Sequence, residues 1–314
     1  MSIPLVLSAL LLLAGPAPQV DAVAQDGSSD AQSGGTCGAR GDSAPVTFDD
    51  ENLEAAVRSA LAVGETEDLG CGQVSGLTRL VAAEADIESL EGIQNLTGLE
   101  ELNLWGNAIT DLGPLAGLTS LNRLVLGANA VADLGPLAGL TNLTFLQVRE
   151  NDIAQVGALA GLTRLTDLDI SHNDIRDISA LGGLTLLATL RVYYNPITDI
   201  SAMRGMTRLS ELHVHDLPDL ETIQPLVENT GLGAGDVVIV YNSNVCAEAR
   251  GLRDKGVTVP GCVIEAASHW WGAILLGVGL VAVGGVLVRR KNERRWAAWR
   301  AEAAVGAPPA GEAE

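Results

Sequence analysis

Residues 99–120 decide the fold, and they read LEELNLWGNAITDLGPLAGLTS. The same pattern returns every 22 residues through the central part of the chain, with degenerate copies at both ends of the series. The units begin at Leu77, Leu99, Leu121, Leu143, Leu165, Leu187 and Leu209. Exact returns at a fixed spacing are typical of a repeat protein, in which each unit buries its apolar face only against its neighbours.

The positions of the repeat, numbered from its opening leucine, have distinct physical roles. The leucines at positions 4 and 6 alternate with polar residues, which predicts a short strand with these leucines pointing inward. The asparagine at position 9 carries both donors and an acceptor, so it can satisfy the backbone where the chain leaves each strand. This asparagine ladder comprises Asn107, Asn129, Asn151, Asn173 and Asn195, whereas Ala85 replaces it in the first unit.

A short helical segment is expected after the asparagine in each unit. Pro114, Pro136 and Pro225 suit a first helical position, because proline needs no hydrogen bond to its nitrogen there. Ser179 and Ser201 occupy the repeat position immediately before that of the prolines and are interpreted as N-caps.

The repeat L-x-x-L-x-L-x-x-N-x-I-x-D-I/L-x-x-L-x-x-L resembles that of bacterial internalin-like leucine-rich-repeat proteins over roughly residues 46–262. Residues 48–61 resemble the N-terminal cap helix of that group, and residues 231–238 resemble its last strand. The resemblance implies an α/β solenoid, a horseshoe of about seven repeats with a parallel concave sheet that binds proteins or other large ligands. A closing helix over 247–255 and a terminal strand over 257–259 would complete a disulfide-closed C-terminal cap, since open solenoid ends expose core and strand edges.

Four cysteines flank the repeats, and none lies inside them. This placement predicts one disulfide at each end of the array in an oxidising compartment. Sequence alone permits three pairings, and proximity in the chain favours Cys37–Cys71 and Cys246–Cys262.

Two apolar segments suggest how the chain is targeted. The first is a short apolar run that ends before the small-residue pattern Ala22-Val23-Ala24, which is typical of a cleaved secretory signal. The second, residues 270–288, is long enough to span a bilayer, and a basic cluster begins at Arg289, which predicts a cytoplasmic C-terminus and an outside N-terminus. Ala273 and Gly277 form a small-xxx-small pair that would permit weak dimerisation through this helix.

These features predict a linear domain organisation. It comprises a signal peptide (1–24), a flexible leader (25–45), an N-terminal cap (46–76), leucine-rich repeats (77–231), a C-terminal cap (232–262), a linker (263–269), a transmembrane helix (270–288) and a cytoplasmic basic tail (289–314).

The charge balance excludes one class of partner. Residues 25–269 contain 13 Arg and Lys against 34 Asp and Glu, whereas nucleic acid binding needs clustered basic side chains. No phosphate-binding loop, nucleophile elbow, zinc-protease motif or dinucleotide fingerprint occurs, so neither an enzyme nor a cofactor is predicted. His213 and His215 lack a third close ligand, and no metal site is predicted there.

Residues between the inward leucines are expected to face the concave side, where variation from repeat to repeat can encode specificity. Aromatic residues of the repeats fall there rather than in the leucine core, and aromatic side chains are enriched at recognition sites. The predicted ligand-binding strip contains Trp105, Phe145, Arg149, Asp167, Asp169, His172, Arg191, Tyr193, Tyr194, His213 and His215. The alternative is that these aromatics are residues that favour strands and pack on each other, and the binding interpretation is preferred.

The sequence therefore predicts an extracytoplasmic, membrane-anchored protein that mediates recognition or adhesion of a protein or envelope ligand. The alternative is a structural envelope protein whose repeats serve as a stalk or lattice without a specific ligand.

Overall fold

The computed structural model describes residues 37, 41–241 and 245–262. The predicted signal peptide, the linker over 263–269, the transmembrane helix over 270–288 and the basic tail lie outside the described residues. Among the helices of the described residues, none is long and apolar enough to cross a bilayer.

Eight three-residue strands form one parallel sheet in chain order, and each strand begins one coil of the solenoid. We number the coils 1–8 after these strands. They are β1 (Arg79–Val81), β2 (Glu101–Asn103), β3 (Arg123–Val125), β4 (Phe145–Gln147), β5 (Asp167–Asp169), β6 (Thr189–Arg191), β7 (Glu211–His213) and β8 (Val237–Ile239).

The strand register matches the sequence period. Leu80 pairs with Leu102, which pairs with Leu124, so that equivalent leucines stack in successive coils. The last step is longer, since Leu212 pairs with Val238. The predicted parallel ladder is confirmed, and an eighth coil extends the seven units of the sequence period.

Apolar side chains of every coil fill a continuous core. In coil 2, Leu102, Leu104, Ile109, Leu112 and Leu115 are each at most 1% exposed. Burial of one such side chain contributes about 1.5–3 kcal/mol, and a single coil has no core of its own, so this stabilisation depends on stacking.

The segment after position 9 of the repeat contains a 3-10 helix in coils 1–6. The 3-10 helices are Ile93–Asn95, Gly113–Leu115, Gly135–Gly139, Gly157–Gly161, Ser179–Gly183 and Ser201–Gly205. The prediction that Ser179 and Ser201 are N-caps is wrong, because each is the first residue of its 3-10 helix. Their N–H groups instead donate to Asp177 and Asp199, each at 2.7 Å, since an aspartate two residues earlier can reach the unpaired donor.

The asparagine ladder joins each of coils 2–6 to the coil before it. Asn129 Oδ1 accepts the Ile109 N–H at 3.0 Å, and its Nδ2 donates to the carbonyls of Leu104 and Leu126. In coil 1, where Ala85 replaces the asparagine, Asn107 of coil 2 accepts the N–H groups of Ala85 and Ile87. The predicted role of the ladder in satisfying backbone groups is confirmed.

The N-terminal cap covers the first coil. Helix α1 (Glu51–Leu61) begins after Asp50, whose carboxylate accepts the N–H groups of Asn52 and Leu53, and it buries Leu53 and Val57. Helix α2 (Cys71–Val74) carries the cysteine that forms the Cys37–Cys71 disulfide.

In coil 7 the equivalent segment is α-helix α3 (Gln224–Glu228), and the C-terminal cap that follows contains α4 (Ala249–Asp254) and a bridge from Thr258 to the last strand. The terminal strand expected over 257–259 is thus a single bridge. The Cys246–Cys262 disulfide closes this end, and both pairings favoured by proximity are confirmed.

Candidate functional site

The outer face of the sheet consists of columns of side chains, because the register repeats from coil to coil. Positions 3, 5 and 7 of each unit supply one column each. The column at position 5 reads Val81, Asn103, Val125, Gln147, Asp169, Arg191, His213 and Ile239. Unlike the leucines beneath, these residues differ in chemistry at almost every step, so the face has no uniform character.

Position 8 has a left-handed backbone in coils 1–7. The residues there have φ between 51° and 71°, and they are Glu84, Gly106, Ala128, Glu150, His172, Tyr194 and Asp216. A non-glycine residue with positive φ is uncommon, especially a bulky one, so the turn out of the strand imposes this conformation on whichever residue occupies the position. It brings Tyr194 beside the position 7 column, with its ring centroid 5.8 Å from that of Tyr193.

Six rings meet on the outer face of coils 5–8. We call them the aromatic–histidine cluster, and they are His172, Tyr193, Tyr194, His213, His215 and Tyr241. Tyr193 and His215 stack with centroids 4.4 Å apart and planes 18° apart, while Tyr241 meets His215 at 5.3 Å. His172 lies 4.4 Å from Tyr194. The rings support one another and need no ligand to hold them in place.

A largely buried ion pair contacts the cluster through His213. Glu211 accepts hydrogen bonds from Arg191 at 2.8 Å and interacts with His213 Nε2 at 3.0 Å. The hydrogen bond from His213, together with the charge of Arg191, outweighs burial and lowers the pKa of Glu211 from 4.5 to about 2. The carboxylate therefore stays ionised, and Arg191 is neutralised within the protein.

The two central rings of the cluster, Tyr193 and His215, have shifted pKa values. Burial, reinforced by the charge of Asp169, raises the pKa of Tyr193. Burial also lowers the pKa of His215, although Asp216 accepts a hydrogen bond from this ring at 2.7 Å and opposes the shift. At neutral pH the two rings are uncharged, and the Asp216 carboxylate, whose side chain is 43% exposed, supplies negative charge at the rim.

Burial separates the predicted ligand-binding strip into two groups. Asp169, Arg191 and His213 are 4%, 8% and 8% exposed, so these three residues are buried and have little surface that a ligand could contact. Neighbouring strands are close enough for longer side chains to cover them, and their polar atoms bind Ser171 and Glu211. Tyr194 remains 51% exposed.

The remaining members of the strip lie outside the cluster. Trp105 and Arg149 approach Gly127 from the coils on either side, and their atoms would be 3.0 and 3.1 Å from a Cβ there. Arg149 also forms an ion pair with its neighbour Glu150. The ring of Phe145 lies beneath the Arg123 guanidinium, 3.7 Å from the Arg123 Cζ to the ring centroid.

Asp167 comes after Phe145 in the column at position 3 and is half-buried beside Thr166, whose hydroxyl donates to it at 3.1 Å. Trp105, Phe145, Arg149 and Asp167 therefore share the face with the aromatic–histidine cluster without joining its rings.

Tyr241 was missed in the predicted strip. It stands two residues after Ile239, which pairs with His213, and thus extends the position 7 column beyond His215. The signal was hidden because the last coil-to-coil interval is 26 residues, whereas the period up to that point is 22. The backbone at Gly261 lies against the Tyr241 ring, where a Cβ would collide, and its φ is +91°. Glycine at this position therefore allows the C-terminal cap to support the ring.

The described residues contain no visible arrangement of side chains for catalysis or metal binding. No group of three or more His, Cys, Asp or Glu side chains there is arranged to hold a metal ion. An open depression of about 490 Å³ beside the N-terminal cap is lined by two aspartates and by small, polar or apolar residues. It contains no histidine, lysine or cysteine that could act as a base or nucleophile.

Comparisons with known proteins agree with this architecture. A model of Leucine Rich repeats (2 copies) matches residues 97–139 and 163–227, whereas none of the curated proteins matches the chain. An internalin, InlF, from Listeria monocytogenes is 29% identical, with a TM-score of 0.63, and the match covers 69% of this chain and 65% of that one. Internalin C2 from the same organism is 32% identical, with a TM-score of 0.52, and the match covers 63% of this chain and 98% of that one.

Proposed function

The chain belongs to the internalin-like leucine-rich-repeat proteins, and from this premise we propose that it recognises a protein partner through the aromatic–histidine cluster. Repeat proteins of this kind expose a long face whose side chains are not needed by the core, and the fold itself implies protein–protein interaction. Within that face, coils 5–8 hold the largest group of contacting rings among the described residues.

The half-exposure of two tyrosines carries the proposal. Tyr194 and Tyr241 are 51% and 50% exposed, although the rings they contact are mostly buried. Large aromatic side chains left in water on a rigid support provide contact area at little cost in conformational entropy, which is why tyrosine is enriched at binding hot spots. Here the support is the ring stack and, for Tyr241, the C-terminal cap.

We further propose that this recognition takes place outside the cytoplasm on a chain anchored by residues 270–288. The two disulfides support an oxidising compartment, because such bonds persist in secreted proteins and are rare in the cytosol. The apolar run over 270–288 and the basic residues after it support a single span with a cytoplasmic tail.

Site-specific photo-crosslinking tests the proposed recognition. A benzophenone amino acid would replace Tyr194 or Tyr241 in the full chain on intact cells, and Ala160, exposed in a 3-10 helix, would provide the matched control. We expect adducts with a distinct protein from positions 194 and 241 and none from position 160. Equal yields at all three positions would contradict recognition by the cluster, and adducts between two copies of the chain would favour a lattice protein.

A further inference from the structure

The exposed part of the aromatic–histidine cluster has a defined chemical character. Tyr194 and Tyr241 lie on either side of His215, with their centroids 6.3 Å and 5.3 Å from the histidine ring. Asp216 is hydrogen-bonded to the same histidine and keeps 43% of its side chain exposed. Two half-exposed tyrosine rings and one exposed carboxylate are therefore grouped around the same histidine, a combination that favours a planar cation.

The cations near these rings are already bound within the protein. Arg191 is paired with Glu211 and only 10% of its side chain is exposed, while Arg149 is paired with Glu150. The described residues as a whole contain 12 Arg and Lys against 31 Asp and Glu, a formal charge of −19. Such a surface repels phosphate and sulfate groups and attracts a basic segment by charge complementarity.

The same face already holds an arginine on an aromatic ring. The Arg123 guanidinium lies over Phe145 with its Cζ 3.7 Å from the ring centroid. Strand spacing on this face is thus compatible with cation–π contact, which arginine forms more often than lysine because its planar guanidinium can stack on a ring and also pair with a carboxylate.

We propose that the surface formed by Tyr194, His215, Asp216 and Tyr241 binds an arginine side chain from a basic segment of the protein partner. The guanidinium lies on the tyrosine faces and forms an ion pair with Asp216. This inference rests on the proposed function and names the chemistry of the partner.

A pair of labelled peptides tests this inference. The probe is a fluorescein-labelled peptide of four Arg-Gly repeats, and the comparison peptide carries neutral citrulline, which has the same shape, at each arginine. Both are titrated with the full chain in nonionic detergent at 0.15 M salt, where long-range attraction is screened beyond about 8 Å. Fluorescence anisotropy is expected to show about tenfold tighter binding of the arginine peptide.

Variants then separate local recognition from overall charge. Asp216→Asn keeps the side-chain shape, and asparagine tolerates the φ of +51° at this position. Glu84→Gln removes the same charge from position 8 of coil 1, where φ is +54°, and is the matched control. We expect about fivefold weaker arginine-peptide binding for Asp216→Asn, about tenfold for Tyr194→Ala with Tyr241→Ala, and less than about twofold for Glu84→Gln. Circular dichroism verifies that each variant is folded.

Each contrary result has a definite meaning. Equal affinity for the arginine and citrulline peptides overturns the inference, and so does a loss with Glu84→Gln that matches the loss with Asp216→Asn. If photo-crosslinking at positions 194 and 241 still identifies a protein while the peptides are not distinguished, the proposed function stands and only the arginine assignment fails. If crosslinking fails and the arginine peptide is preferred, the surface binds cations but the proposed protein recognition fails.

Discussion

The interior and the outer face of the solenoid are formed by the same eight coils but are organised differently. Inside, the leucine pattern recurs with almost no change, equivalent strand leucines pair in successive coils, and each asparagine of the ladder binds the coil before it. Outside, the columns change chemistry at almost every step. Stability is thus concentrated where the sequence repeats, and specificity can vary where it does not, without disturbing the register.

The outer face itself divides into two parts. In coils 2–4 the large side chains are used in local pairs, such as Arg123 on Phe145 and Arg149 with Glu150. In coils 5–8 the rings instead form one connected group with two half-exposed tyrosines. The three-residue strands and their register are the same from coil 2 to coil 7, so within these coils side-chain identity distinguishes a surface of local pairs from one of connected rings.

The largest effect is expected for a substitution in the interior. Asn151→Ala removes the acceptor of the Val131 N–H and the donor to the carbonyls of Leu126 and Val148, all of which are buried. Because each unsatisfied buried group costs about 1–3 kcal/mol, we expect a loss of about 3–5 kcal/mol in the free energy of unfolding, measured by urea denaturation.

Asn142→Ala provides the control for this interior substitution. Asn142 also joins neighbouring coils, since its Nδ2 donates to the Thr119 carbonyl at 2.9 Å and its Oδ1 accepts from Arg164 at 2.6 Å, but both sites are exposed and water can replace the lost bonds. We expect a loss below about 1 kcal/mol. Equal losses for the two alanine variants would contradict the concentration of stability in the asparagine ladder.

An intermediate effect is expected for the ion pair of Arg191 and Glu211, which contacts the cluster through His213. Since the pKa of Glu211 falls from 4.5 to about 2 on folding, its contribution is present above pH 4.5 and is lost as the pH decreases towards 2. We therefore expect the stability difference between the native chain and Glu211→Gln to shrink by about 2 kcal/mol between pH 6 and pH 3.

Urea denaturation at the two pH values measures this change. Glu101→Gln is the control, because Glu101 occupies the same column and pairs with Arg79 at 3.5 Å, but 42% of its side chain is exposed. Its stability difference should vary by less than about 0.5 kcal/mol, as is usual for exposed pairs. A pH-independent difference for Glu211→Gln would show that the buried pair does not stabilise the fold.

The smallest effect is expected at an exposed ring. Tyr194→Asn places a residue that tolerates a left-handed backbone at a φ of +53° and so relieves strain. It also removes the ring contacts with His172 and Tyr193. These terms oppose each other, and we expect the free energy of unfolding to change by less than about 1 kcal/mol. Tyr194→Val, which is β-branched and poorly suited to this backbone, should lose about 2 kcal/mol.

Thermal unfolding monitored by circular dichroism compares the two variants at position 194. If both lose the same amount, the strained backbone is not what limits the choice of residue there. If Tyr194→Asn alone loses more than about 2 kcal/mol, the exposed ring belongs to the stabilising part of the molecule, and the division between interior and outer face fails.

The repeat could be predicted from the sequence because its causes are local and periodic. The inward leucines, the asparagine ladder and both disulfides are readable from spacing, and the structure contains them. The left-handed turn at position 8 could not be predicted, since glycine occupies it only in coil 2 and the other coils contain residues as different as Glu150 and Tyr194.

The candidate site was predicted less completely than the fold. Exposure depends on how neighbouring side chains cover one another, so Asp169, Arg191 and His213 could be assigned to the outer face but not recognised as buried. Tyr241 was missed because the longer final interval interrupts the period from which its position could be read. Both omissions concern contacts between coils, which no single repeat contains.

The asparagine ladder also gives the chain a direction of assembly. Asn151 of coil 4 completes the backbone of coil 3, and Asn173 of coil 5 completes that of coil 4. Because synthesis proceeds from the N-terminus, a newly made coil stays unfinished until the asparagine 20 residues beyond its own turn has emerged. Coils 1–5 are therefore each completed by the asparagine of the next coil, and a growing chain has one incomplete coil at its C-terminal end until that asparagine is made.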